Sequence, residues 1–474
     1  MTTYTVVSEY KERMGIASTL VFVISRIYFL MVLVIFRMVN HFKAKKIVPA
    51  PNDPLLMLSA TEAVRKIRKR EITSQQLIGA YTHRIEQVNE LINAVVVKLF
   101  NEANQKAGEI DKSIADMDDQ QLEELIRSKP LLGVPFTAKD ALEVDGQVIT
   151  CGIYAQKGIK RTSTAEVIKR MEAAGAILIA ITNVPEACYW VETSNGIYGL
   201  TRNPYDTRRT VGGSSGGEGA LISAAGSLIG IGSDIGGRIV PLDGHVPPVT
   251  GYPEEMLRVG PMCRYVEDLP ILTEVKIRIF YMEGIQIPTL QSLSCEMRST
   301  LLEAVKHFET KFNVEAIRLD LLFAQKAVEM LFASLEVEGE PKPSEYLLSL
   351  EGDKGKLNWK LEIPKYLVGK SVHTPGALLV AMIEDIDRTP ETEKDEFRKL
   401  RSRLVRQVTE TLGDNGILLF PSWPQTAPFH HQTVFTPFNC VYTGLFNVLA
   451  LPVVQCPMGL DSSGLPLGVQ VRRL

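Results

Sequence analysis

The sequence lacks the paired cysteines and histidines that build most metal sites and disulfide frameworks. Its six cysteines are scattered over 474 residues, with no Cys-x-x-Cys motif and no histidine at metal-ligand spacing. His430 and His431 are adjacent rather than one helical turn apart, which favours loop histidines over ligands on a common helix face. We therefore expect no bound metal, and free, mostly buried thiols in a reducing compartment.

The chain also lacks a strong net charge of either sign. The chain has 52 Lys and Arg against 55 Asp and Glu, and the net charge of −3 argues against nucleic-acid binding. The sequence contains no internal repeat, heptad run or low-complexity tract. Its length and its hydrophobic content of 45% allow a large buried core, which is typical of an enzyme-sized globular protein.

One long hydrophobic run lies near the N-terminus. Ala17 to Phe36, ASTLVFVISRIYFLMVLVIF, is about as long as a helix needs to cross a bilayer and carries one charge, Arg26. Length, mixed upstream charge and the lack of a small-x-small cleavage site favour a transmembrane anchor over a signal peptide. A buried helix of a globular domain is the least favoured alternative.

The charges that flank this run predict its orientation. Basic residues follow it, so the positive-inside rule places the body of the protein in the cytoplasm, although Lys11 and Arg13 precede it. We expect a single-pass membrane protein with an anchor at residues 1–46 and one domain at residues 47–474. The basic residues after the run are Arg37, Lys43, Lys45 and Lys46.

The rest of the chain alternates between helical and strand patterns. Residues 55–97 have apolar residues at helical spacing, enough for two helices, one of them starting at Thr73-Ser74. Another helix should end at Ala174-Gly175, before the strand ILIAIT. Residues 300–415 are mostly helical in pattern, and GILLFPSW and LPVVQCPMGL are typical of strands. This rhythm predicts an α/β fold.

Two glycine- and serine-rich clusters, GGSSGGEG and GSDIGG, lie between residues 212 and 237. A phosphate-binding P-loop needs Lys-Ser or Lys-Thr after its last glycine, where this chain has Glu218-Gly219. The later glycines miss dinucleotide-binding spacing by one residue, and Asp234 lies among them. Acyl transfer fits better, because consecutive glycines let backbone N–H groups converge on an oxyanion.

These clusters, together with GVPFTAKD upstream, resemble the amidase signature family. TNVPEACYW, NPYD, GPMCRYVEDL and FYMEG extend the similarity over most of residues 55–473. With the N-terminal run, the chain resembles most the fatty-acid amide hydrolase 2 branch of that family. The resemblance implies an α/β fold with a mixed central sheet surrounded by helices, and hydrolysis of an amide through a serine acyl-enzyme.

The resemblance also implies roles for individual residues. Lys139 would be the base, and Ser214, in a cis peptide, would relay protons between it and a nucleophilic serine; a buried lysine can act in this way because burial disfavours its charge. The backbone of Ile235, Gly236 and Gly237 would form the oxyanion hole, and Cys188 would contact the substrate through its carbonyl. No metal or organic cofactor is required. The expected partners are a bilayer and an apolar fatty-acid amide, with a homodimer left open.

The chain departs from the family pattern at the nucleophile. The family has GGSIR followed by an apolar residue and proline, whereas this chain has GGRIVP. Arg238 takes the nucleophile's position in an ungapped alignment, and a shift of two residues matches it instead to the family's arginine, with the Ser-Ile pair deleted. Arginine stays protonated and offers no hydroxyl. The segments near 238–245 and 275–277 are also shorter than the pattern, and the family continues past GLPLGVQV with a further strand and helix.

Two interpretations fit these departures. Three losses together favour a shortened splice form or a faulty gene model over an evolved pseudoenzyme with a binding or regulatory role. In either case we expect an amidase-signature serine hydrolase with a Ser-Ser-Lys relay that is inactive in this form because its nucleophile is missing.

Overall fold

The computed structural model describes residues 16–234, 244–247, 258–265, 268, 278–336, 340–413, 416–451 and 453–473. The helices are α1 Ile16–His41, α2 Ala60–Arg68, α3 Ser74–Ile92, α4 Phe100–Ala115, α5 Asp119–Ser128, α6 Glu166–Ala173, α7 Gly216–Ser223, α8 Cys295–Phe312, α9 Ala327–Leu335, α10 Pro343–Tyr346, α11 Trp359–Leu367, α12 Pro375–Ile386, α13 Glu391–Leu412 and α14 Val441–Val448. The strands are β1 Val95–Lys98, β2 Pro135–Lys139, β3 Ile177–Thr182, β4 Ser194–Asn195, β5 Gly199–Leu200, β6 Arg202–Asn203, β7 Asp206–Thr210, β8 Ile229–Asp234, β9 Arg258–Cys263, β10 Arg278–Tyr281, β11 Ile317–Arg318, β12 Gly416–Pro421, β13 Val453–Leu460 and β14 Pro466–Arg473.

Helix α1 continues beyond the predicted span to His41. Within it, Thr19–His41 has a mean hydropathy of 2.5 and is long and apolar enough to cross a membrane. Most of its large apolar side chains are exposed. The helix touches the body at Phe435, whose carbonyl accepts a hydrogen bond from the Tyr28 hydroxyl at 2.9 Å and whose ring meets that of Phe36 edge to face.

Five strands form the sheet that carries the candidate site, in the order β1-β3-β2-β8-β9. The central strands β3, β2 and β8 are parallel, and β1 and β9 flank them in antiparallel orientation. Every side chain of β3 is buried, as the uninterrupted run ILIAIT requires. Full burial of one such isoleucine contributes about 2 kcal/mol. Because the parallel strands end at the same edge, β2 and β8 bring their last residues together there.

A second mixed sheet, in the order β11-β10-β12-β14-β13, has its own apolar core. Strand β10 is parallel to β11 and β12, whereas β14 runs antiparallel to both β12 and β13. Helices α9, α13 and α14 pack together against this core. The predicted fold class, mixed sheets with surrounding helices and an N-terminal apolar helix, is confirmed.

Individual elements follow the sequence signals closely. Helix α3 starts after Thr73, whose side chain accepts the backbone N–H of Gln76 in a capping box, and it ends at Asn93 in the left-handed conformation. Helix α6 ends at Ala173, before β3.

The expectation of mostly buried cysteines is wrong: of the six, Cys151 alone is fully buried and Cys295 is exposed. Composition does not say which thiols face a cavity or solvent.

We expect the full chain to stay with the membrane fraction through washing in high salt. Salt screens surface charge, whereas it leaves the burial of an apolar helix in lipid intact. The measurement is immunoblotting of the pellet and supernatant after the wash. Release into the supernatant would contradict an embedded helix.

Deletion of residues 1–40 is the matched variant for this experiment. It should release a large part of the protein, though not all of it, because the body keeps exposed apolar side chains such as Leu367 and Val368, which are 77% and 66% exposed. An unchanged membrane fraction would show that α1 is not the anchor.

Candidate active site

Lys139, the last residue of β2, is fully buried. Its side-chain nitrogen Nζ donates to the hydroxyl Oγ of Ser214 at 2.7 Å and to the carbonyl of Ser233 at 3.0 Å. The three residues come from β2, from the turn before α7 and from β8. The predicted contact between Lys139 and Ser214, which are 75 positions apart, is therefore present. The catalytic roles given to them remain predictions.

The turn that carries Ser214 packs directly against another stretch of backbone. The Gly213–Ser214 peptide bond is cis, the geometry that the resemblance implied for this serine. A side chain at position 213 would place its Cβ 2.6 Å from the carbonyl oxygen of Trp190, so this position admits only glycine. Helix α7 begins two residues after Ser214, at Gly216.

Two further serines of the clusters are held by other partners. The Ser215 hydroxyl donates to the Ser233 carbonyl at 3.1 Å and accepts the Ser233 N–H at 3.3 Å. The Ser233 hydroxyl lies 3.0 Å from Nε2 of His245, and Nδ1 of that ring lies 3.2 Å from the carbonyl of Pro247. A carbonyl only accepts, so Nδ1 carries the proton and Nε2 accepts from Ser233.

His245 was not foreseen from the sequence. Burial, and next the nearby charge of Lys139, lower the pKa of its ring to about 4, so the ring is neutral at physiological pH. A single histidine in a glycine- and proline-rich stretch gave no signal of its position beside Ser233.

Glu218, the carboxylate that argued against phosphate binding, lies beneath the site and is fully buried. It accepts hydrogen bonds from the hydroxyls of Thr137 at 2.5 Å and Thr182 at 2.9 Å. Burial raises the pKa of its carboxyl to about 8. A Cβ at Gly230 would overlap the Glu218 carboxylate, so this glycine makes room for an acid that joins β2, β3 and α7.

Cys188 ends a short 3₁₀ helix, Glu186–Cys188, next to Ser214. Its thiol Sγ lies 3.6 Å from Sγ of Cys151, and the Cys151 carbonyl accepts the backbone N–H of Ala187 at 2.8 Å. The hydrogen bond from Cys151 lowers the pKa of the Cys188 thiol, and the Lys139 charge acts in the same direction. Burial raises the pKa of the Cys151 thiol.

A cavity of about 550 Å³ opens from Ser214 and Cys188. Its volume lies within the range of about 300–1,000 Å³ common for small-molecule sites. Helices α9, α12 and α14 and the start of α13 form its walls, and Lys394 and Glu336 form an ion pair in them. Its apolar lining includes Val328, Leu331, Phe332, Leu335, Val380, Ile383, Ile386, Phe397 and Phe438.

The remaining predicted site residues, Ile235, Gly236 and Gly237, lie outside the described residues, as do Arg238, the shortened segment near 275–277 and, except for residues 244 and 245, the shortened segment near 238–245. The oxyanion hole therefore stays a prediction. In the described part of the chain, no cluster of three His, Cys, Asp or Glu side chains is arranged to hold a metal ion.

The fold, the buried lysine and the serine-rich turn all agree with the pattern of one family of hydrolases. Residues 76–314 match the family model described as Amidase. The chain belongs to the amidase signature family.

Two curated relatives are similar over most of their length. Fatty-acid amide hydrolase 2-A of Danio rerio is 37% identical, over 89% of this chain and 86% of the relative. Fatty-acid amide hydrolase 2 of Homo sapiens is 35% identical, over 89% of this chain and 87% of the relative. A solved fatty acid amide hydrolase shares the fold, with a TM-score of 0.68 at 20% identity over 89% of this chain and 82% of its own.

Replacing Glu218 by Gln should remove part of the pH dependence of stability. The folded state raises the pKa of this carboxyl above its ordinary 4.5 to about 8. The folded state therefore binds the proton more tightly, and the resulting stabilisation is complete below about pH 4.5 and is lost as the pH rises through about 8. Guanidinium unfolding in detergent at pH 5 and pH 8, followed by tryptophan fluorescence, measures this loss.

The wild type should lose at least about 1 kcal/mol more than Glu218→Gln between these two pH values. Glu102→Gln, at an exposed glutamate of α4, is the control and should behave as the wild type. The same loss in wild type and Glu218→Gln would show that Glu218 does not titrate in this range.

Proposed function

We propose that this chain is a membrane-anchored protein of the fatty-acid amide hydrolase type, with a Ser-Ser-Lys site built for amides of apolar acyl chains and little or no hydrolytic activity in this form. The observation that carries the proposal is the 2.7 Å contact between Lys139 and Ser214 at the end of an apolar cavity. The relatives named fatty-acid amide hydrolase 2 support the substrate class.

In the proposed relay, a nucleophilic serine attacks the amide carbonyl while Ser214 takes its proton and passes its own to the amine form of Lys139. The backbone N–H groups of Ile235 to Gly237 would stabilise the oxyanion. Lys139 then returns the proton through Ser214 to the departing amine, and water hydrolyses the acyl-enzyme. Direct contact between lysine and serine is the requirement that this chain retains.

The attacking atom is what this chain lacks. Arg238 stands at the nucleophile's position and has no hydroxyl. The nearby serines have other partners: Ser214 accepts from Lys139, Ser215 bonds the Ser233 backbone, and Ser233 pairs with His245. Ser233 is also only 5% exposed. We therefore propose that acyl transfer is blocked at its first step.

A non-catalytic role is the second candidate, and the cavity favours it. The cavity walls come from helices α9, α12, α13 and α14, far along the chain from residue 238. A protein that has lost its nucleophile can therefore still bind an apolar amide. The proposed location is a membrane with the body on the cytoplasmic side, and a homodimer is compatible with either function.

We expect a fluorophosphonate probe, which labels activated serines covalently, to label this polypeptide weakly or not at all. Loss of the nucleophile of a serine hydrolase lowers the rate by up to about a millionfold. The assay is gel fluorescence of the full chain in membranes, followed by peptide mapping. Strong labelling of Ser214, Ser215 or Ser233 would contradict the proposal.

Two variants test whether the absent nucleophile alone, or also the shortened segment after it, prevents labelling. Arg238→Ser alone should restore little labelling, because the shortened segment after it also belongs to the family's site. Replacing residues 236–245 by the longer GGSIR-containing segment of a relative should restore labelling if Lys139 and Ser214 are a working relay. Lys139→Met in that restored background should abolish the labelling again.

Narrowing the cavity should weaken the binding of long-chain amides more than that of short-chain amides. Ile383→Trp adds bulk to the α12 wall and should weaken binding of a long-chain amide about tenfold or more, with little effect on a short-chain amide. Displacement of a fluorescent fatty-acid amide measures both affinities. Glu393→Trp, at an exposed position of α13, is the control, and equal effects of the two variants would place the acyl chain elsewhere.

A further inference from the structure

Two cysteine thiols face each other at the edge of the cavity. The Sγ atoms of Cys151 and Cys188 are 3.6 Å apart, a distance that small side-chain rotations can close to a covalent bond. We call these two residues the cysteine pair. They belong to separate loops, 37 positions apart, so their proximity is set by the fold and not by a local motif.

A backbone hydrogen bond holds the two loops together independently of the sulfurs. The Cys151 carbonyl accepts the N–H of Ala187 at 2.8 Å, next to Cys188. The preceding Thr150 is fixed by Asp140, whose carboxylate accepts the Thr150 N–H at 2.9 Å and its hydroxyl at 2.7 Å. Asp140 directly follows Lys139. The cysteine pair is therefore attached to the same strand end as the candidate base.

The two thiols differ in access. Cys188 is half-buried and lines the cavity, whereas Cys151 is fully buried and does not line it. A small reagent that enters the cavity meets Cys188 first. Cys151 lies behind it, in the position of a partner that reacts with a modified Cys188.

The charged and polar groups around Cys188 favour its thiolate. The hydrogen bond with Cys151, followed by the nearby Lys139 charge, lowers the pKa of its thiol. Burial raises the pKa of the Asp140 carboxyl to about 7, and the charge of this carboxyl opposes ionisation of the Cys151 thiol. Cys188 thus has the features of an attacking thiol, and Cys151 those of a protonated partner.

We propose that Cys188 is a hydroperoxide-reactive thiol and Cys151 its resolving partner, so that oxidation closes a disulfide at the edge of the cavity. The Cys188 thiolate attacks one oxygen of hydrogen peroxide, the O–O bond breaks, and the departing hydroxide takes up a proton to become water. Cys151 sulfur then attacks the resulting sulfenic acid. The S–S bond forms, the S–O bond breaks, and the hydroxyl leaves with the Cys151 proton as a second water.

The disulfide would alter the candidate active site. An oxidised Cys188 can no longer form a thiolate beside Lys139 and Ser214, so the charge facing the lysine disappears. A reducing dithiol would restore the thiolate by exchange. Because the reaction needs no amidase activity, the inference stands apart from the proposed function.

The test uses the full chain in detergent, reduced, freed of reductant and treated with hydrogen peroxide at neutral pH. Free thiols are then alkylated in denaturant, and a tryptic digest is analysed by mass spectrometry without reduction. The expected product joins the peptide of residues 140–157 to that of residues 171–202, with a mass lower by two hydrogens than the sum of both, and dithiothreitol separates them. Failure to form this cross-link while other thiols oxidise would overturn the proposal.

Variants assign the two roles. In Cys151→Ser, the reagent dimedone should capture a sulfenic acid at Cys188, and in Cys188→Ser the buried Cys151 should stay reduced. Cys440→Ser is the matched control, because Cys440 lines the same cavity while burial raises the pKa of its thiol to about 12. This variant should form the cross-link at the wild-type rate. Oxidation of Cys151 in the absence of Cys188 would overturn the assigned order of reaction.

The exposed Cys295 provides an internal reference in the wild-type protein, which does not depend on any variant folding. Cys188 should be oxidised about tenfold faster than Cys295 at neutral pH, because a larger fraction of it is thiolate. Equal rates at the two thiols would show that the site does not activate Cys188.

Discussion

Burial of the Lys139 side chain is the constraint on which the rest of the site depends. Removing the amino group of a lysine from water is costly unless its N–H groups find acceptors, and Nζ of Lys139 donates to the Ser214 hydroxyl and the Ser233 carbonyl. Those acceptors come from a turn and from the end of a neighbouring strand, so the end of β2, the end of β8 and the turn before α7 must converge on one point. The glycines follow from this convergence, because Gly213 lies against the Trp190 carbonyl and Gly230 lies under the Glu218 carboxyl.

Glu218 and Asp140 show how the same region accommodates buried acids next to a buried lysine. Each accepts hydrogen bonds from threonine side chains, Glu218 from Thr137 and Thr182, and Asp140 from Thr150. Burial raises the pKa of both carboxyls, to about 8 and about 7. Their proton occupancy therefore changes near neutral pH, and the charge balance around Lys139 changes with it. Glu218, the acid of the first glycine-rich cluster, thus joins the strands β2 and β3 through Thr137 and Thr182.

The sequence predicts the fold and the lysine–serine pair well, because both rest on strong local signals. The run ILIAIT, the cap at Thr73 and the order of apolar segments give β3, α3 and the α/β class, and the long family motifs give Lys139 and Ser214. Contacts between loops that are distant in the sequence could not be predicted in this way. His245 beside Ser233 and Cys151 beside Cys188 have no periodicity or spacing that could reveal them, since backbone pairing between separate segments creates both.

The site is divided between two parts of the chain, and this division explains how ligand binding can persist without catalysis. The lysine, the serines and the cysteine pair belong to the first sheet and its loops, whereas the apolar walls of the cavity come from helices between residues 327 and 448. Arg238 lies outside the described residues, between β8 and β9 in the sequence. The serine that the family has at this point of the sequence belongs to none of α9, α12 and α14, the helices whose side chains line the cavity. The apolar pocket and the buried lysine–serine pair are thus retained by packing constraints that do not require a nucleophile.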